Sequence, residues 1–480
     1  MSSEAWWGGL YLIPSEEDEN VILYSPSKYA VGLVTPENAS KIAAAIKGAI
    51  IDNESDKNSA SRIISQLKDL GFLGATFQNK GATFPASSSC RSPVVGRSSI
   101  KYFSPHEVTL DLTRKCNMRC VYCYSHGGDS VISMQPDCGR AAIDFCIANA
   151  KRKGVFFGLH FHGGGEPSQA FNLLRELWLY SKRVCEEKDV ELKSSVITNG
   201  LISSRVLDFY VNHIDEITLS MDGDQSAQDL QRPSSGGGPT FAHVFKTGKR
   251  LLELRKKFNI RMTVTAMNVK RLESIVEFLI LEFPGCTINA EPVTLVGRAI
   301  GNDDIACDPL LFAEHLYASF RIGMKAGATV FYSGVSGHSQ RQEFCAASTP
   351  SFCVCADGGV TSCFSYSNRD IVKDLFVYGR YSEATNKFEF DRERIRRLQS
   401  LTMTHDNYCD QCFCRSHCIG DCPALRKFEL TDNLEFIESL DMDFMLNRRC
   451  ATNRRIVTLL LNDIARGRME THGHPEQYKA

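Results

Sequence analysis

Val108-Thr109-Leu110-Asp111-Leu112 leads into Cys116-Asn117-Met118-Arg119-Cys120-Val121-Tyr122-Cys123, an apolar run followed by a cluster of thiols. The apolar run predicts a strand, and the loop leaving it carries three thiols in a C-x3-C-x2-C spacing. Three thiolates so close together can hold three irons of a 4Fe–4S cluster and leave the fourth iron open. A closed structural zinc site wants four ligands, and the neighbourhood offers no fourth except His126.

Outward from there, strands predicted at Val108 to Leu112, Phe156 to His162, Leu192 to Thr198, Glu216 to Met221, Ile260 to Ala266 and Thr287 to Pro292 alternate with longer helical patterns. The helices are Arg140 to Lys151, Leu173 to Glu187, Ser203 to Asn212, Val244 to Phe258 and Arg271 to Phe283. Six β-then-α units predict a parallel sheet, which right-handed crossovers curl toward a barrel. Sites in such sheets form at the C-terminal strand ends. There the second strand runs into His162-Gly163-Gly164-Gly165-Glu166-Pro167. Glycines in that turn let backbone groups approach a ligand, with a plain tight turn as the alternative. The fourth strand ends in Ser220-Met221-Asp222-Gly223, followed by Arg232. A hydroxyl for a ribose and a guanidinium for a carboxylate suit a nucleoside amino acid, whereas a surface ion pair is the plainer role for Arg232.

The whole chain has 480 residues, 43% apolar and 23% charged, which excludes a wholly disordered, collagen-like or coiled-coil protein. Lys+Arg 55 against Asp+Glu 56 leaves a net charge of -1, so bulk charge offers no pull toward nucleic acid or a membrane surface. No apolar run approaches the roughly 18 residues of a membrane span. The start Met1-Ser2-Ser3-Glu4-Ala5-Trp6-Trp7 lacks a basic, then apolar, export signal, and a cytoplasmic location is expected. Cysteine is the outlier. Of 19, none precedes Cys90 and ten fall from Cys345 onward. In a reducing compartment, clustered thiols bind metal or do redox chemistry more often than they form a disulfide framework.

Cys116, Cys120, Tyr122 and Cys123 resemble the C-x3-C-x-aromatic-C motif of radical S-adenosylmethionine (SAM) enzymes. The resemblance implies an α/β fold, a partial (β/α)6 TIM-like barrel over 105–300, and reductive cleavage of SAM to a 5′-deoxyadenosyl radical. It also implies roles. Gly164, Gly165 and Glu166 would hold the SAM amino group, Ser220 the ribose, Arg232 the carboxylate, and the Tyr122 backbone the adenine. Gly163 departs from relatives that carry Gln before the turn.

Farther on stands Cys409-x2-Cys412-x5-Cys418-x3-Cys422, with Cys345-x12-Gly358-x4-Cys363 before it and Cys450 after it. A zinc ribbon is the alternative for the four-Cys run. The complete arrangement resembles the SPASM domain, whose relatives bind two auxiliary 4Fe–4S clusters. That resemblance implies Cys345, Cys363 and Cys422 for the first auxiliary cluster, and Cys409, Cys412, Cys418 and Cys450 for the second. Either Cys353 or Cys355 could complete the first, or its last site stays open to substrate or water. Cys414 reads as a spare thiol, and Cys90, Cys138, Cys146, Cys185, Cys286 and Cys307 as small core or surface residues. Thr198-Asn199-Gly200 either lines the SAM pocket or is a turn. Glu291 either meets SAM or substrate, or pairs with Arg298. Tyr332 and Tyr366 are radical relays or aromatic core.

The N-terminal stretch predicts strands at Gly9 to Ile13, Val21 to Tyr24 and Tyr29 to Val34. A helix follows, capped by Thr35 with Pro36 at its first position, and a second starts at Asn58 or Ser59 and stops at Gly71. This unit resembles the winged-helix-like recognition element of ribosomal-peptide maturases, which adds a leader peptide as a strand at a sheet edge. A cap on the barrel is the alternative. The expected organisation is a small α+β domain over 1–78, a linker over 79–104, the barrel over 105–300 and a bridging region over 301–340. A cysteine-rich SPASM domain over 341–455 and a C-terminal helix and tail over 456–480 complete it. Three 4Fe–4S clusters, SAM, a precursor peptide and a low-potential donor such as flavodoxin or ferredoxin are the expected cofactors and partners. The expected activity is hydrogen abstraction from a ribosomally made peptide, giving a thioether or carbon–carbon cross-link. Sulfatase-maturase-like formylglycine formation is the alternative, against which stands Phe364 where those enzymes place an Asp after the Gly-x4-Cys cysteine. A non-catalytic iron–sulfur or zinc protein is the alternative of another class.

Overall fold

The computed structural model describes residues 5–7, 10–47, 54–73, 103–336, 344–345, 347, 351–364, 376–400, 409, 412–425 and 442–469. Cys90, Tyr366 and most of the expected linker lie outside the described residues.

Strands β1 (Ala5–Trp7), β2 (Leu10–Pro14), β3 (Val21–Ser25) and β4 (Ala30–Val34) form an antiparallel sheet in chain order. Helices α1 (Pro36–Lys47) and α2 (Glu54–Asp69) follow. Thr35 caps α1, its hydroxyl accepting from Asn38 N at 3.3 Å, and Gly71 at φ +78° turns the chain out of α2. Side chains alternate along the strands, so each sheet face has its own partner. Leu10, Leu12 and Leu23 pack on Ile42, Ile46 and Leu67 of the two helices. Tyr11, Ile13, Ile22 and Tyr24 pack instead on Cys412, Phe413, Cys414, Val457 and Leu461. The sheet is therefore fastened to the cysteine-rich region and to the C-terminal helix Met442–Ala465.

All six expected βα strands are present: β5 (Glu107–Leu110), β6 (Phe157–Phe161), β7 (Leu192–Thr198), β8 (Glu216–Ser220), β9 (Phe258–Val264) and β10 (Thr287–Pro292). Each pairs in parallel with the next. Leu110, Phe161, Val196, Leu219, Ile260 and Val264 are fully buried, as strands covered on both faces require. The sheet is larger than six strands. A helix at Pro309–Ala326, capped by Asp308, returns the chain to β11 (Val330–Phe331), parallel to β10. On the other edge β12 (Cys353–Val354) runs parallel to β5, and β13 (Gly359–Thr361), β14 (Val377–Ser382) and β15 (Lys387–Phe390) continue antiparallel, giving eleven strands. Two-residue strands such as β11 and β12 are too short to show a period in sequence. The C-terminal helix begins at Met442, ahead of the expected start at 456; Arg448, Arg449 and Asn453 interrupt its apolar pattern and hide the earlier turns. Among the described residues no helix is long and apolar enough to cross a membrane.

Candidate active site

The loop after β5 holds Cys116, Cys120 and Cys123, and four other strand ends clamp it. Arg298, beyond β10, donates to the carbonyls of Gly127 at 2.7 Å and Cys120 at 3.4 Å, while its own N–H donates to Cys123 O at 3.0 Å. Gly297 beside it has φ +61°, and a Cβ there would lie 2.2 Å from Cys123 O, so the approach needs glycine. Arg119 ties the loop to itself through the carbonyls of Cys116, Met118 and Gly128, each at 2.9 Å. Asn199, after β7, donates to Asn117 Oδ1 at 2.8 Å and lies 3.8 Å from Cys116 Sγ.

N–H donors face the sulfurs: Met118 N at 3.5 Å from Cys116, Gly127 N at 3.3 Å from Cys123, and Arg232 Nη1 at 4.0 Å from Cys120. Burial pushes the Cys116 thiol up to about 11 and Cys120 up to about 12, and each feels Cys123. Ligation therefore has to displace protons, and the facing N–H groups then stabilise thiolate charge. Among the described residues no three His, Cys, Asp or Glu side chains converge on a single-ion site. In a four-iron cluster each thiolate binds its own iron, so its ligands stand farther apart than around one ion. The triplet, with a glycine between two of its cysteines (Gly127, 3.5 Å from Cys116 Cβ and 3.6 Å from Cys123 Sγ at its Cβ position), fits such a cluster.

The glycine turn after β6 lies flat on this loop. A Cβ on Gly165 would fall 2.2 Å from Lys115 O, and one on Gly164 2.3 Å from Arg114 Nη1. Gly164 O accepts from Ser125 Oγ at 2.6 Å, and Gly163 O from Tyr124 at 3.3 Å. Glu166 is buried and its carboxylate is occupied: Thr198 Oγ1 (2.9 Å), Asn199 N (2.8 Å) and Ser168 N (3.1 Å) all donate to it. It welds the ends of β6 and β7 together.

Past β8, Asp222 is a hub that no motif in the sequence marks. Its carboxylate accepts from Thr263 N and Gln231 Nε2, both at 2.9 Å, takes the Tyr122 hydroxyl, and pairs with Arg232 Nε at 3.0 Å. The Arg232 guanidinium lies 5.3 Å from the Tyr122 ring centre. Burial lowers the guanidinium pKa, but Asp222 more than offsets this, and it stays charged. Arg232 is thus a buried residue of the site and not a surface ion pair. Ser220 is half-buried at the end of β8 on the same rim. Glu291 does not pair with Arg298; it accepts from Asn289 Nδ2 and Ser333 N, both at 2.9 Å, because Arg298 turns to the cysteine loop. Tyr332 is buried edge-on to Phe312 with Arg449 over its ring, and its hydroxyl has no hydrogen-bond partner among the described residues.

The remaining candidate thiols form neighbourhoods. Cys450 feels Cys409, Cys412 and Cys418, and burial pushes it up to about 12. Cys422 feels Cys345, with the buried Arg449–Asp421 ion pair (2.8 Å) acting on both. Cys363 follows β13, its N–H bound to Thr361 Oγ1 at 3.1 Å. Cys353 lies 3.6 Å from Ser351 Oγ, while Cys355 adjoins Asp111 and Arg114 behind the glycine turn. Cys414 is buried among them, its thiol donating to Asn453 O at 3.3 Å and also feeling Cys418 and Cys412. Cys138, Cys146, Cys185, Cys286 and Cys307 are buried. Phe364 packs on His162 at 5.1 Å between ring centres.

Residues 110–279 match the Radical SAM superfamily, and the cysteine triplet, the glycine turn and Arg232 all lie within that segment. Likeness to other proteins extends beyond that segment, and the chain has distant relatives over most of its length. It is 23% identical to a cysteine-type anaerobic sulfatase-maturating enzyme of Clostridium perfringens over 344 residues, 67% of this chain and 89% of that one. An uncharacterised protein of Methanocaldococcus jannaschii is 26% identical over 174 residues, 36% of this chain; the match spans 57% of that relative's length. In fold, the chain resembles anSMEcpe with bound AdoMet (TM-score 0.60, 19% identity, 76% of this chain and 96% of that one). It also resembles Streptococcus suis SuiB bound to S-adenosylmethionine (TM-score 0.51, 16% identity, 88% and 96%).

Proposed function

We propose that this chain is a radical SAM peptide maturase with two auxiliary clusters. The observation that carries the reading is the clamp on the Cys116–Cys123 loop, where the ends of β6, β7, β8 and β10 converge on three thiols. Cys116, Cys120 and Cys123 would hold a 4Fe–4S cluster, which supplies the electron that splits SAM into methionine and a 5′-deoxyadenosyl radical. Arg232, held through Nε by Asp222 and with Nη1 facing Cys120 Sγ, would take the SAM carboxylate with the rest of its guanidinium. Ser220 would take the ribose. Because the Glu166 carboxylate is already satisfied, the carbonyls of the glycine turn take the amino group. Cys345, Cys363 and Cys422, with Cys353 or Cys355, would hold one auxiliary cluster, and Cys409, Cys412, Cys418 and Cys450 the other.

A peptide substrate is supported by the neighbours: SuiB has been solved with its precursor peptide SuiA, and anSMEcpe with the peptide Cp18Cys. The antiparallel N-terminal sheet, with a strand edge at β1, suits leader binding by strand addition. A low-potential flavodoxin or ferredoxin would deliver the electron. Formylglycine formation is the second reading, favoured by the Clostridium perfringens relative, but the apolar Phe364 next to Cys363 supplies no base.

Dithionite and SAM should yield 5′-deoxyadenosine from anaerobically reconstituted protein, and replacing Cys116, Cys120 and Cys123 by Ala should abolish it. Continued cleavage by the triple variant would overturn the site assignment. Co-expression with short reading frames that adjoin the gene, followed by mass spectrometry, tests the substrate. Loss of about two hydrogens marks a cross-link, and an unchanged mass in every case refutes the cross-link, since only an epimerisation leaves the mass as it was.

A further inference from the structure

His417 joins three parts of the chain that are remote in sequence. It is buried on the short helix Arg415–Cys418, with Tyr24 Oη 2.7 Å from its Nε2 and the carbonyl of Ser336 2.7 Å from its Nδ1. A carbonyl can only accept, so Nδ1 carries the proton, Nε2 is bare, and the tyrosine hydroxyl donates. The backbone repeats the tie, Ser336 N donating to His417 O at 3.0 Å. Tyr24 belongs to β3 of the N-terminal sheet, Ser336 follows β11 of the large sheet, and Cys418 is the next residue after His417. A second strut stands beside it. Tyr11 donates to the carbonyl of Cys412 at 3.3 Å, and its ring meets Phe413 edge-on at 6.4 Å. From the other side Arg454 donates to Cys412 Sγ at 3.3 Å and lies over Phe413.

Apolar side chains alone would suffice to dock a sheet face. A buried hydroxyl–imidazole–carbonyl chain costs free energy unless every member is satisfied, and what it adds is direction. Here the direction is imposed on the residue beside a thiol. We infer that the N-terminal sheet is a wall of the Cys409–Cys412–Cys418–Cys450 thiol site, and that Tyr24, acting through His417, is a positioning residue for Cys418. The inference rests on the reading that those four thiols hold an auxiliary cluster. It gives the sheet a role besides peptide capture, since hydrogen-bond partners behind metal ligands commonly govern retention of the metal by 10–100-fold.

The test compares Tyr24→Phe with Leu12→Ala, which weakens the same sheet from its opposite face, in the full-length, anaerobically reconstituted protein. Iron per chain, its release to a ferrous chelator, and the spectroscopic response of the SAM-side cluster to added SAM are measured. The unaltered protein should hold about twelve irons. In Tyr24→Phe about a third of them should leave at least roughly tenfold faster, with the response to SAM intact, while Leu12→Ala releases iron at the parent rate. Parent-like release from Tyr24→Phe, or equal acceleration in both variants, overturns the inference while the auxiliary clusters stand. A parent count near four removes the auxiliary-cluster reading itself, and this inference with it. Should Tyr24→Phe not fold, His417→Gln is measured against the same control with the same outcomes.

Discussion

The guanidinium of Arg232 stands 3.0 Å from the carboxylate of Asp222, and both are buried beyond the end of β8. Asp222 also takes the hydroxyl of Tyr122, whose neighbour Cys123 is one of the three clustered thiols. A single carboxylate therefore aligns a cation of the SAM rim with the cysteine loop. Replacing it by Asn leaves a buried guanidinium without its counter-charge, a change that costs about 3–5 kcal/mol. Asp222→Asn should melt well below the parent and bind SAM poorly by equilibrium dialysis. An unchanged melting temperature would show that Arg232 has another partner.

Gly165 is pressed against backbone. Its absent Cβ would stand 2.2 Å from Lys115 O and 2.5 Å from Thr113 O, and neither atom can swing aside. Gly165→Ala should push the turn off the cysteine loop and abolish SAM cleavage. Gly236→Ala, with nothing within 4 Å, should leave cleavage unchanged. Assay of 5′-deoxyadenosine in both decides it, and an active Gly165→Ala refutes the clamp.

Arg298 gathers the cysteine loop by its carbonyls. Arg298→Ala should release the SAM-side iron roughly tenfold faster or more, whereas Glu291→Gln, whose amide oxygen still accepts from Ser333 N, should keep parent retention. Timed iron release separates the two, and equal rates would count against the assignment of Arg298.

Burial pushes the carboxyl of Asp111 from 3.8 up to about 6, despite Arg114 and the N–H groups of Gly164 and Ala356. Between those values the folded chain keeps a proton that the unfolded chain has released. Stability therefore falls as pH rises through this window, by ~3 kcal/mol in all. Asp111→Asn should lack that fall. Urea unfolding of the metal-free chain at pH 4.5 and pH 7 measures it. A parent-minus-variant difference that ignores pH would mean that Asp111 ionises normally.

Local pattern alone located much of this protein. The apolar runs at Val108, Leu192 and Thr287, the spacing of Cys116, Cys120 and Cys123, the cap at Thr35 and the stop at Gly71 all act within a few residues, where period and turn chemistry are legible. Contacts between remote segments were decided only by folding. Asp222 as the partner of Tyr122 and Arg232, Arg298 turned from Glu291 to the cysteine loop, and Tyr24 against His417 each depend on which strand ends meet at one rim. Side-chain hydrogen bonds across such distances leave no period to read. The two-residue strands β11 and β12 are sheet for the same reason: neighbouring strands supply the hydrogen bonds that their own sequence is too short to announce.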